Sequence, residues 1–141
     1  MNGEIIFLEM APSGEDYNSL RNSVGWEMIE GEGVGLALKS SLYVLSVMKD
    51  SHIIGMGRVL GDGKLVFYIQ DLIVLPEFQN RKIGYLLMEK LMNYIKENAV
   101  DGAFVGLMSA KGKERFYEKF GFLIRPNDFL GSGMTRLIHE D

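Results

Sequence analysis

The chain has no cysteine. Disulfide frameworks, thiolate nucleophiles and zinc–thiolate sites are therefore excluded, and a cysteine-free chain fits the cytosol. An excess of positive charge is also missing: 15 basic side chains stand against 19 acidic ones, a net charge of −4. A protein that held nucleic acid by neutralising phosphates would show the opposite balance, whereas this one suits a cationic substrate. Long hydrophobic runs are absent. The longest uncharged apolar stretch, Ser40 to Met48, is far short of the ~20 residues that span a bilayer. The start, Met1-Asn2-Gly3-Glu4, lacks a basic segment, and the first cation is Arg21, so no secretory leader is expected. Asn2 stands where myristoylation requires glycine. The expectation is a soluble, cytoplasmic protein with no nucleic-acid or membrane partner and no metal site.

What is present describes one domain spanning residues 1–141. A chain of this length buries roughly 68–70% of the surface its unfolded form exposes. Its 47% hydrophobic and 24% charged residues lie inside the globular range. No repeat or linker interrupts it, and Pro12, Pro76 and Pro126 punctuate periodic segments.

Ile5 to Leu8 reads as a strand. Ser13 is a helix N-cap candidate, and Tyr17, Leu20, Arg21 and Val24 share one helical face ahead of Gly25. Residues 26–40 are glycine-rich and hold a short second helix. Leu42–Lys49, His52–Leu60 and Leu65–Leu75 are β-branched and aromatic runs joined by Asp50-Ser51 and by Gly61-Asp62-Gly63-Lys64, which is turn chemistry. Strands so closely joined form an antiparallel meander. Ile83, Leu86, Leu87, Leu91, Tyr94 and Ile95 then recur at helical spacing up to Asn98. The apolar run Ala103–Met108 follows this crossover and is expected parallel to the strand before it. A helix over Glu114–Phe120 and closing strands at Phe122–Ile124 and Met134–Ile138 complete an α/β (α+β) layout with a mixed, mostly antiparallel sheet flanked by helices.

The most informative stretch runs from Asp71 to Tyr85. A strand ends, a short turn follows, and a long helix opens beside Arg81 and Lys82. Cations at a helix N-terminus oppose its dipole; a bound phosphate or pyrophosphate would remove the conflict, and two solvated surface cations would also account for it. The stretch is neither a Walker A loop nor a Gly-x-Gly-x-x-Gly turn.

Gln79-Asn80-Arg81-Lys82-Ile83-Gly84 resembles the Gln/Arg-x-x-Gly-x-Gly/Ala signature of the GNAT superfamily of acyl-CoA-dependent N-acyltransferases. Arg115-Phe116-Tyr117-Glu118-Lys119-Phe120-Gly121-Phe122 is similar to the same family's Phe-Tyr-x-Lys-x-Gly-Phe segment. Both stand in the family's order over a matching succession of elements that covers nearly the whole chain. The resemblance implies a β-bulge near Leu72 to Val74, where Leu72, Ile73 and Val74 pair with pantetheine and the Val74 N–H meets the thioester oxygen. It implies that Gln79, Asn80, Arg81, Lys82, Ile83, Gly84 and Tyr85 hold the pyrophosphate, mostly by main-chain N–H groups. It also implies a splayed parallel strand pair that admits acyl-CoA, with Phe116 and Ser109 contributing to that site. Two positions depart from the pattern: Lys82 replaces a preferred glycine, and Ala110 replaces a pantetheine-binding asparagine for which Ser109 is the nearest substitute.

The implied activity is transfer of acetyl from acetyl-CoA, as co-substrate, to a primary amine of a small molecule or peptide, with homodimers common in the family. The phenol of Tyr117 is the candidate acid for the leaving thiolate; the alternative is aromatic packing. The family's base glutamate is replaced by Tyr68, which leaves Asp71 as a candidate base, or equally a carboxylate paired with Arg58. Trp26, Tyr17, Tyr43 and Tyr68 are candidates for an aromatic acceptor wall suited to ammonium groups, or for core packing. Met88 and Met92 read as core filling or a dimer face, and His52 and His139 as surface residues. A non-catalytic CoA-binding or sensing domain of the same fold is the competing reading.

Overall fold

The structure, a computed structural model, describes residues 3–139; the leader and myristoylation readings of Met1 and Asn2 lie outside them. Strand β1 (Ile5–Leu8) leads to helix α1 (Gly14–Ser23), helix α2 (Gly33–Lys39) and the meander β2 (Tyr43–Lys49), β3 (His52–Gly61) and β4 (Val66–Val74). A 3₁₀ turn (Pro76–Phe78), helix α3 (Ile83–Asn98), strand β5 (Phe104–Leu107) and helix α4 (Glu114–Glu118) follow. The sheet runs β1-β2-β3-β4-β5 in chain order, antiparallel except for the parallel pair β4–β5. The mixed, mostly antiparallel sheet between helices is as the sequence indicates.

Local chemistry explains the boundaries. Ser13 Oγ accepts the Asp16 N–H at 3.0 Å, the N-cap bond that opens α1. Asp50 and Ser51 both adopt left-handed backbone, at φ 51° and 65°, which gives the β2–β3 hairpin a twist that matches its strands. After β3, Asp62 Oδ1 collects the N–H groups of Lys64, Leu65 and Val66. Gly61 precedes it because a Cβ there would collide with the Val66 carbonyl oxygen.

Both faces of the sheet are covered. On one, Tyr17 and Leu20 of α1 and Leu38 of α2 pack on Met56 and Ile73. On the other, α3 approaches so closely that a Cβ on Gly57 would meet Leu91 at 3.0 Å and Leu72 at 3.2 Å. Met88 is buried within α3, so it is core filling. No helix among the described residues is long and apolar enough to cross a membrane.

The chain divides into two compact units, the first ending at Leu107 and the second beginning at Met108. In the second, α4 is followed by Gly121 in left-handed backbone (φ 90°), and the rings of Phe116, Tyr117, Phe120 and Phe122 form a connected cluster. The closing strands expected at Phe122–Ile124 and Met134–Ile138 do not form. Leu123, Met134 and Ile138 are 71%, 88% and 84% exposed. An apolar run becomes a strand only when a neighbour takes its backbone bonds, and among the described residues none does. Asn127 instead builds a turn, its Oδ1 accepting the N–H groups of Phe129 and Leu130.

Candidate functional site

The resemblance implies an interruption near Leu72 to Val74, and β4 is interrupted at Asp71 and Leu72. Met56 pairs with Ile73 and Arg58 with Gln70, so Gly57 alone stands opposite both Asp71 and Leu72. Two residues against one is a bulge. Asp71 takes left-handed backbone there, at φ 56°. The ladder resumes at Ile73, so Ile73 is not part of the freed segment. The Leu75 N–H donates to the Ile54 carbonyl at 2.8 Å. Backbone groups alternate between the two edges of a strand, so Ile73 also faces β3 and Val74 faces the opposite edge. On that edge β4 pairs with β5 only from Val66 to Ile69. The stretch from Gln70 to Val74 thus presents an edge without a strand partner among the described residues. The Val74 carbonyl accepts from Gln79 Nε2 at 3.0 Å, which ties the following loop to the strand.

The loop delivers the start of α3 without a cap. Lys82 is the N-cap at φ 64°, and its side chain makes no capping bond. Asn80 is also left-handed, at φ 64°. Gln79, Asn80, Arg81, Lys82 and Tyr85 are exposed and Gly84 is half-buried, whereas Ile83 is buried and anchors the helix by its side chain. The Gln79 N–H is spent on the Pro76 carbonyl at 3.2 Å, so it offers no free donor. A helix start whose N-cap side chain makes no bond, with Arg81 and Lys82 beside it, collects positive potential.

Asp71 is the centre of a buried polar cluster. Its side chain is fully buried. Oδ2 accepts from Tyr17 Oη at 2.9 Å and from Arg58 Nε at 2.8 Å. Among the described residues Oδ1 has no hydrogen-bond partner, and Arg21 Nη1 lies 3.8 Å from it. Arg21 is held in turn by the Glu27 carbonyl and lies over the Trp26 ring at 5.5 Å. Arg58 reaches Ser41 Oγ at 3.4 Å. Burial, with the Asp71 charge second, pushes the Tyr17 phenol above its ordinary pKa. Arg21 and Ser41 were not singled out from sequence; the four-residue spacing of Tyr17 and Arg21 was the available signal.

The four aromatics do not share one wall. Tyr17 and Trp26 pack on the α1 side, where Arg21 already covers both rings. Tyr43 stacks on Tyr94 of α3 at 4.6 Å, on the opposite side. Its hydroxyl donates to Glu9, and burial, with that bond second, pushes its pKa up to about 12. Tyr68 is half-buried. A cavity of about 540 Å³ lies elsewhere, bounded by Leu20, Lys49, His52, Leu75 and Phe78 among others; none of the expected cofactor residues lines it.

Ser109, Phe116 and Tyr117 belong to the second unit. Ser109 Oγ donates to the Ala110 carbonyl at 2.7 Å. Tyr117 is half-buried, its ring set edge-on to Phe116 at 5.1 Å, and burial raises its pKa.

The fold as a whole matches known acetyltransferase structures. A probable acetyltransferase from methicillin-resistant Staphylococcus aureus superposes with a TM-score of 0.86 at 33% identity, over 94% of this chain and 100% of that one. A GNAT-family acetyltransferase from Streptococcus pneumoniae matches with a TM-score of 0.75 at 30% identity, over 99% of this chain and all of that one. An uncharacterized N-acetyltransferase, ycf52, from Pyropia yezoensis is 25% identical over 120 residues, 82% of this chain and 68% of the relative. Residues 21–135 match the model of the acetyltransferase (GNAT) domain. The chain belongs to the GNAT family of acetyltransferases.

Proposed function

We propose that the protein moves an acetyl group from acetyl-CoA to a primary amine of a small molecule or peptide, by direct attack in a ternary complex. The observation that carries this reading is the Val74 N–H on the open edge of β4, followed within one loop by the uncapped start of α3. The family match spans both compact units, and we take them as parts of one acyltransferase domain. The cytoplasm is its proposed location.

The residues fit the co-substrate's chemistry. Asn80 to Tyr85, with Arg81 and Lys82, suit a diphosphate through helix-start N–H groups and charge. Leu72 and Val74 suit strand-like pairing with an amide-bearing arm, and the Val74 N–H suits a developing oxyanion. Tyr117 suits the proton donor: a phenol is protonated at neutral pH and can neutralise a departing thiolate. Ser109 and Phe116 are assigned to the same coenzyme on family resemblance. The attacking amine must be neutral, and a lysine-like amine of pKa about 10.4 is unprotonated in roughly one molecule in a few thousand at pH 7. With Tyr68 in place of the base glutamate, and Asp71 Oδ2 already accepting two bonds, ordered water is the proposed proton acceptor.

The missing base supports one competing reading, a CoA-sensing domain without turnover. Calorimetric titration with acetyl-CoA, followed by thiol release over a panel of amines, decides between them. Binding with amine-dependent thiol release is expected. Binding without release on any amine would favour the sensor, and no binding would refute both.

A further inference from the structure

Asp71 is the first residue that the bulge turns to a different face. Val59 pairs with Ile69, and Gly57, on the same face as Val59, abuts Leu91 of α3. Phe67, Ile69 and, by simple alternation, residue 71 would therefore all face α3. A carboxylate there would be buried in hydrocarbon without a partner, which the polarity of the group forbids. The extra residue turns Asp71 to the opposite face, where Tyr17 Oη and Arg58 Nε converge on Oδ2 at 2.9 and 2.8 Å and Arg21 stands 3.8 Å from Oδ1. These contacts come from α1 and β3 and hold a backbone conformation, φ 56°, that a side-chain-bearing residue seldom adopts unsupported.

The same turn decides which way Val74 points. In an unbroken ladder continuing from the Arg58–Gln70 pair, Met56 would meet Leu72 and Ile54 would meet Val74. The Val74 N–H would then point at the Ile54 carbonyl, which now accepts from Leu75. The inserted residue moves the register by one, and a one-residue shift exchanges the two edges of the strand.

We propose that Asp71 is a positioning residue: its tie to Tyr17, Arg58 and Arg21 selects the bulged register and thereby points the Val74 N–H at the open edge of β4. This rests on the reading of that N–H as the oxyanion donor. Asp71 then moves no proton, although it lies beside the reacting strand.

Hydrogen exchange of the Val74 amide, followed by NMR, tests the register without turnover. In Asp71→Val the pull towards the cations is gone, and the amide is expected to exchange at least about tenfold more slowly as it gains a ladder bond. The same variant should lose roughly 10²-fold in kcat, the usual effect of losing an oxyanion donor. Its affinity for adenosine 3′,5′-bisphosphate, a probe of the α3 loop, should stay at the wild-type value. Asp71→Asn, still an acceptor for Tyr17 and Arg58, should keep the Val74 exchange rate and the shape of the pH–rate profile.

Wild-type exchange and turnover in Asp71→Val would overturn the proposal. So would loss of the acid limb of the pH profile in Asp71→Asn, which would make Asp71 the base. Should Asp71→Val fail to fold, Arg58→Gln removes the 2.8 Å partner and is expected to slow Val74 exchange and lower kcat; unchanged values in both would refute the proposal equally. A wild-type protein that releases no thiol would sink the transferase reading, while the exchange comparison would still report on the register.

Discussion

Lys82 occupies the position where a glycine would serve both the backbone and the ligand, and replacing it separates the two contributions. Its φ of 64° and ψ of 9° are left-handed, which costs a residue with a side chain roughly 1–2 kcal/mol. Glycine escapes that cost but gives back about 0.5–1 kcal/mol through its larger unfolded-state entropy. Removing a cation from the start of α3 returns a further 0.3–1 kcal/mol or so, towards the lower end because Lys82 is exposed. Lys82→Gly is therefore expected to stabilise the fold by about 1 kcal/mol, a rise in Tm of about 3 °C. Lys82→Ala keeps the left-handed strain and gains only the charge contribution, so its Tm should rise by no more than about 1–2 °C.

Calorimetric titration extends the comparison to function. Both substitutions remove one exposed cation and should weaken acetyl-CoA binding, by about fivefold in Lys82→Ala, since an exposed ion pair is worth up to about 1 kcal/mol. Glycine also allows the backbone closer to a diphosphate, so Lys82→Gly should bind more tightly than Lys82→Ala. A Tm for Lys82→Ala equal to or above that of Lys82→Gly would refute the backbone argument. Weaker acetyl-CoA binding by the glycine variant would refute the placement of the diphosphate.

Tyr117→Phe should lower kcat by roughly 10²-fold, as expected for loss of a general acid, with acetyl-CoA affinity unchanged; steady-state kinetics beside calorimetry reads both, and full turnover would remove Tyr117 as the donor. Alkaline titration followed at 295 nm should show Tyr17, Tyr43 and Tyr117 ionising late. Because the folded state holds these protons more tightly than the unfolded chain, the stability they contribute is complete below the ordinary phenol pKa of about 10. It falls as pH rises towards the folded value, about 12 for Tyr43. Denaturant midpoints that rise over that range would contradict the sign.

Elements whose signals are local were legible in the sequence. The spacing from Ile83 to Ile95, the turn pairs around β3 and the Ser13 cap each depend on neighbours within a few residues, and the structure contains all three. The strand–turn–helix unit that links β4 to α3, with two cations at the helix start, was legible for the same reason. The expected strands at Phe122–Ile124 and Met134–Ile138 failed because apolar composition states a need for a partner without supplying one. The aromatic wall failed because Tyr17 and Tyr43 lie on opposite faces of the sheet, which no spacing along the chain encodes.

By itself, then, the order of residues determined the run of strands and helices, the antiparallel meander with its parallel last pair, and the strand–turn–helix unit that carries the family signature. These follow from short-range rules of periodicity, capping and turn geometry. Tertiary structure alone decided the face of Asp71 and the direction of the Val74 N–H. A bulge breaks the alternation on which any strand reading depends, and its register is chosen by where Tyr17, Arg21 and Arg58 bring their donors, contacts between residues up to 54 positions apart.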